Sequence, residues 1–254
     1  MSRISQMFDR KKEKVLSIYF TAGFPHLDST LEVMKSLQVS GADMIELGIP
    51  YSDPLADGPV IQQSSMAALK NGMTIKKLFE QIKDFRKEIS IPVLLMGYMN
   101  PVLQYGFEKF CAGAAAAGID GLILPDLPEY EYENEYGAII KKYGLDFVFL
   151  VTPETSEQRV RKLDELSSGF LYAVSSSSTT GSNKDMISVE QYLGRLKNMQ
   201  LKNPVMVGFG ISDKDSFEAA CAHVNGAIIG SAFIKILEKS VDIASDTRNF
   251  LSFI

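Results

Sequence analysis

Eight short apolar runs, each followed by a longer stretch of helical period, constrain this chain more than any other feature. The runs span residues 15–21, 43–48, 92–97, 121–124, 146–151, 169–174, 204–208 and 227–230. They are rich in β-branched and aliphatic residues. Helical candidates such as 29–39, 74–88, 107–117 and 157–166 lie between them. This alternation predicts βαβ units and a parallel sheet. Strands apolar on both faces suit a sheet covered by helices. Eight such units closing on themselves give a (β/α)8 TIM barrel, which typically needs roughly 250 residues. The chain has 254. An open doubly wound sheet is the alternative, but the G-x-G-x-x-G turn of its dinucleotide-binding version is missing after the first run. The expectation is one barrel domain over residues 1–254. A short extra helix should precede it, and a short phosphate-binding helix should follow strand eight.

Net charge is −5 and no basic block occurs, so nucleic acid is not an expected partner. Lys76, Lys77, Lys83 and Lys87 read as solvated helix faces. Cys111 and Cys221 are too far apart and too few for a disulfide framework or zinc site, which fits a reducing, cytoplasmic setting. Residues 1–14 are polar and contain no apolar signal segment, and no run approaches the roughly 20 apolar residues of a membrane span. The only histidines are His26 and His223. That scarcity removes most metal and triad chemistry.

In such a barrel the active site lies at the C-terminal ends of the strands. Glu46 is the outlier there, a carboxylate inside the apolar run Asp43-Met44-Ile45-Glu46-Leu47-Gly48. Burial disfavours its charged form, which suits a general acid or base. A structural glutamate bonded to a neighbouring hydroxyl such as Tyr172 is the competing reading. Asp57 follows on a loop stiffened by Pro50, Pro54 and Pro59, either positioned for chemistry or simply forming a turn. Glycine turns close strands seven and eight, Gly208-Phe209-Gly210 and Gly230-Ser231. Barrels often hold phosphate there, where backbone N–H groups and a helix dipole face the anion. The serine-rich 175–181 segment follows strand six, the position of an active-site loop, although a plain surface turn would read the same way.

A Schiff-base aldolase needs a lysine pointing into the barrel, and none of the eight runs contains one. A metal aldolase needs clustered imidazoles or carboxylates. Carboxylate acid–base chemistry on a phosphorylated small molecule remains, and an aldose–ketose isomerase would fit the same groups.

The stretch Glu46-Leu47-Gly48-Ile49-Pro50-Tyr51-Ser52-Asp53-Pro54-Leu55-Ala56-Asp57-Gly58-Pro59 closely resembles the signature of the tryptophan synthase α-subunit family. Collinear matches cover essentially the whole chain. They include Tyr19-Phe20-Thr21-Ala22-Gly23, Met99-Asn100-Pro101, Pro125-Asp126-Leu127-Pro128, Gly208-Phe209-Gly210-Ile211-Ser212 and Gly230-Ser231-Ala232. The resemblance implies a lyase that cleaves indole-3-glycerol phosphate to indole and glyceraldehyde 3-phosphate by a metal-free retro-aldol route. It implies Glu46 as the acid–base residue, Asp57 as stabiliser of positive charge on the indole nitrogen, and Tyr172 near the glutamate. Gly181, Gly210, Gly230 and Ser231 match the phosphate cradle, and Phe20, Ile61, Leu124 and Phe209 the indole pocket.

The resemblance further implies no cofactor in this chain, and a pyridoxal-phosphate β subunit as partner, in an α2β2 complex. Asp53, Pro54 and Asn100 would face that partner. The family's loop after strand six carries an arginine and a glycine. Here it reads Ser175-Ser176-Ser177-Ser178-Thr179-Thr180-Gly181, a departure that bears on lid closure. Two alternatives stay open: a free-standing lyase, and a barrel kept chiefly as an allosteric activator of the β subunit. The intact Glu46 and Asp57 argue against the second.

Overall fold

The computed structural model describes residues 1–174, 183–208 and 210–254. Its strands are β1 (Val15–Thr21), β2 (Met44–Gly48), β3 (Val93–Met96), β4 (Gly121–Ile123), β5 (Asp146–Phe147), β6 (Leu150–Val151), β7 (Leu171–Val174), β8 (Val205–Gly208) and β9 (Gly226–Ile229). They pair in parallel in the order β5-β4-β3-β2-β1-β9-β8-β7-β6. The two end strands, β5 and β6, are halves of one run. Between them the Val148 N–H donates to the Leu122 carbonyl at 3.1 Å, and the Phe149 carbonyl accepts from the Tyr172 N–H at 3.0 Å. The sheet therefore closes on itself as an α/β barrel.

The fifth run was expected as one strand and is broken in two. The amides of Phe147 and Phe149 turn to the hydroxyls of Ser168 and Ser167, at 2.9 and 3.1 Å, in place of ladder carbonyls. The expected 74–88 helix also ends early, as Ile75–Ile82 followed by a 3-10 turn, Phe85–Lys87. The tighter turn buries Phe85 and brings the Arg86 guanidinium onto the carbonyls of Gly118, Ile89 and Ile91. Elsewhere caps mark the boundaries. Thr74 and Ser156 accept from the amides of Lys77 and Arg159 at their helix starts. Gly118, at φ +93°, ends Phe107–Ala117 in the left-handed conformation.

The N-terminal helix Arg3–Arg10 turns Ile4, Met7 and Phe8, at i, i+3 and i+4, onto the barrel floor. Phe8 packs on Phe170 with ring centroids 6.4 Å apart, and Arg3 pairs with buried Asp120 at 2.9 Å. The opposite end is open. Met96, Val174 and Gly208, the last residues of β3, β7 and β8, are only partly buried on strands whose other residues are buried. Among the described residues no helix is long and apolar enough to cross a membrane.

Candidate active site

Which side chains face the barrel interior follows from register and alternation. Successive residues of a strand point to opposite faces, and paired residues share one. Tyr19 pairs with Glu46, Glu46 with Leu94, Met96 with Ile123, and Tyr172 with Met206. These residues, with Ser17 two positions before Tyr19, form the inner wall.

Glu46 is fully buried at the centre of β2. The Ser17 hydroxyl donates to Glu46 Oε1 at 3.0 Å, while Oε2 is buried without a partner among the described residues. Burial pushes its pKa up to about 8, and the Ser17 bond opposes that rise. The competing structural reading, with Tyr172 as the hydroxyl partner, is replaced by Ser17 as the bonded neighbour.

Tyr172 is buried beside Glu46 and Asp57, and burial followed by those two carboxylates raises its pKa. Its hydroxyl lies against Gly208, where any Cβ would overlap it. Tyr19 stands in the same relation to Gly48. Desolvation and then Asp57 push the Tyr19 phenol up. Two strand-end glycines thus make room for two tyrosine hydroxyls.

Asp57 sits on the loop between β2 and the helix Pro59–Lys70, which starts with proline at its first turn. The Tyr98 hydroxyl bonds to its carboxylate and accepts from the Ala56 N–H at 3.1 Å. Partial burial lifts Asp57 to a pKa of about 6, with the Tyr98 bond pulling the other way. Tyr98 also stacks at 5.5 Å on Tyr51, whose hydroxyl accepts from Asn100 Nδ2 at 2.9 Å. Asp126 holds the Met99 amide at 3.0 Å. The loops after β2, β3 and β4 are thereby tied together. Asp53 and Asn100 are exposed on this rim, while Pro54 is buried.

At the end of β9, Gly230 begins the helix Ser231–Lys239 with no side-chain cap. Its α-carbon faces Tyr19 and Ile61, since a Cβ there would lie 3.4 Å from Tyr19 Cδ1 and 3.6 Å from Ile61 Cδ1. Ser231 is exposed. Gly210 adopts φ +53° in the turn after β8. The helix that follows it, Lys214–Cys221, is capped by its own Asp213 carboxylate. Of these two helix starts, the one at Gly230–Ser231 has no side-chain cap among the described residues, and such a start suits an anion.

Two expected pocket residues sit one position out of phase. Alternation turns Phe20, fully buried, toward the helix layer, and Tyr19 takes the inner position. Leu124 likewise follows the inward-facing Ile123. It lines a cavity of about 310 Å³ with Phe149, Leu150, Arg159 and Leu163. Gly181, Phe209 and the 175–181 loop lie outside the described residues. Sequence reasoning missed Ser17, Tyr19 and Tyr98. The available signal was the alternation of three hydroxyl side chains, Ser17, Tyr19 and Thr21, with apolar residues in the first strand.

Residues 5–252 match the family model described as Tryptophan synthase alpha chain. The chain belongs to that family. It is an alpha-chain lyase of tryptophan biosynthesis, cleaving indole-3-glycerol phosphate to indole and glyceraldehyde 3-phosphate. The tryptophan synthase alpha chain of Parabacteroides distasonis is 52% identical over 252 residues, covering 99% of this chain and 98% of that one. That of Flavobacterium johnsoniae is 54% identical over 241 residues, covering 94% and 95%. Among solved structures, tryptophan synthase subunit alpha from Legionella pneumophila superposes with TM-score 0.90 at 35% identity, covering 99% of this chain and 96% of that one. A chain of tryptophan synthase from M. tuberculosis, in an aminoacrylate-bound form, gives 0.87 at 31%, covering 99% and 97%. The family implies a β-subunit partner.

Proposed function

We propose that Glu46 and Asp57 divide the chemistry of the cleavage between them. Glu46 moves protons between the indole C3 and the glycerol hydroxyl. Protonation of C3 makes an indolenine whose C=N accepts the electrons of the breaking carbon–carbon bond. The hydroxyl proton leaves to a base as the aldehyde forms, and no cofactor in this chain is called for. Asp57 stabilises the positive charge that develops on the indole nitrogen. Tyr172 and Tyr19 wall the reacting centre, with Ile61 and Phe209 toward the indole. The phosphate binds at Gly181, Gly210, Gly230 and Ser231.

One observation carries this reading. Glu46 is a fully buried carboxyl on the inner wall with one oxygen bonded and the other without a partner among the described residues, and its pKa is raised into the range of a working acid–base group. The test is turnover by the Glu46→Gln variant. Loss of about 10²-fold or more, the scale of general acid–base catalysis, supports the assignment, and unchanged indole release overturns it.

Residues 1–254 act as one barrel domain in the cytoplasm, within an α2β2 complex whose β subunits carry the pyridoxal phosphate. Asp53 and Asn100, exposed on the tied rim, face that partner, while buried Pro54 holds the loop beneath them. Mass measurement of the chain mixed with its β subunit checks the stoichiometry.

A further inference from the structure

We propose that Ser17 is a positioning residue that confines the exchangeable proton of Glu46 to Oε2. The inference rests on the acid–base role of Glu46. Ser17 lies in β1 and Glu46 in β2; both are fully buried, and the Ser17 hydroxyl donates to Glu46 Oε1 at 3.0 Å. The hydroxyl is the donor, so Oε1 must accept. An oxygen that accepts this bond is the carbonyl oxygen of a protonated carboxyl and a charge-bearing oxygen of an ionised one. The Ser17 bond therefore persists in both states. Oε2 has no partner among the described residues and is left to take up and release the proton. A carboxyl without this anchor could rotate and offer either oxygen, and the reacting geometry would be lost for part of the time.

The bond also opposes the rise that burial imposes on Glu46. The other ionisable groups placed against this carboxyl are Tyr19 from β1 and Tyr172 from β7, with Asp57 beyond them on the loop after β2. Both phenols are held neutral far above working pH, so neither replaces Ser17 as a tuning group.

The experiment compares wild type with Ser17→Ala, Ser17→Thr and Glu46→Gln. In Ser17→Ala, the limb of the pH–rate profile assigned to Glu46 should move to higher pH by about one unit or more, the effect of losing a hydrogen bond to a charged group. KM should change less than kcat, and Ser17→Thr should restore the profile. Infrared difference spectra, assigned by their loss in Glu46→Gln, should show the protonated Glu46 C=O stretch at higher wavenumber once the Ser17 bond is gone. An inactive Glu46→Gln with superimposable pH profiles and C=O bands for wild type and Ser17→Ala overturns the inference alone. A fully active Glu46→Gln overturns the acid–base reading beneath it. Should Ser17→Ala fold poorly, the threonine variant decides, because a wild-type profile there requires only the retained hydroxyl and a displaced one contradicts its role.

Discussion

Glu46 is held in a state that opposes the stability of the barrel. Its folded-state pKa of about 8 lies above that of an unfolded carboxyl, so between roughly pH 4.5 and 8 the folded chain binds more protons than the unfolded one. Stability contributed by this group is full at the acid end of that window and is lost as pH rises through the folded pKa. Replacing Glu46 with Gln should remove that dependence. Denaturant melts from pH 5 to 9 should show a flatter profile for the variant. They should also show a gain over wild type above pH 8, on the order of a few kcal/mol. Equal slopes would mean that Glu46 is ionised without penalty. Asp57, raised to about 6 and only partly buried, should add a smaller contribution of the same sign. Glu46 was legible in the sequence because a charge inside an apolar strand has few structural excuses. Ser17 was not, since its role depends on which strand lies beside it and in what register.

At the scale of elements, the all-buried strands explain both what could be read and what could not. Every residue of β1 is buried, so both faces read as core, and the alternating hydroxyls of Ser17, Tyr19 and Thr21 are the sequence's one hint of which face is inward. The apolar runs and the helical stretches between them were visible, and the barrel followed. The face of each strand was not, and Phe20 and Leu124 were consequently expected where Tyr19 and Ile123 stand. Only the pairing of Tyr19 with Glu46 settles the phase. The break between β5 and β6 was hidden for a related reason, since Ser167 and Ser168 look like loop residues until their hydroxyls meet the strand amides. The strand-end glycines give a direct test. Gly208→Ala would place a methyl group on the Tyr172 hydroxyl, and Gly48→Ala on that of Tyr19. Each should cost about 1–3 kcal/mol in stability and lower indole release by displacing the tyrosine. Urea melts and turnover assays check both, and wild-type activity would show that the hydroxyl positions do not matter.

For the whole molecule, the two ends of the barrel do different work. The floor is sealed by the N-terminal helix, through Ile4, Met7 and Phe8 and the Arg3–Asp120 pair. The mouth keeps partly buried inner residues, tied loops and an uncapped helix start. Ile4→Ala should therefore lower stability by about 2–5 kcal/mol, read by chemical denaturation, while leaving KM for indole-3-glycerol phosphate within experimental scatter. A raised KM in a fully folded Ile4→Ala protein would show that floor and mouth are coupled. The central claim concerns the mouth, where an indole is proposed to lie against the inner wall with its phosphate at the start of the helix Ser231–Lys239. The most direct measurement is a crystal structure of the Glu46→Gln variant with indole-3-glycerol phosphate bound. The side chain at position 46 should lie within hydrogen-bonding reach of the glycerol hydroxyl and close to C3, with Asp57 toward the indole nitrogen and the phosphate on Gly210, Gly230 and Ser231. A phosphate bound elsewhere, or an indole ring away from residues 46 and 57, would contradict it.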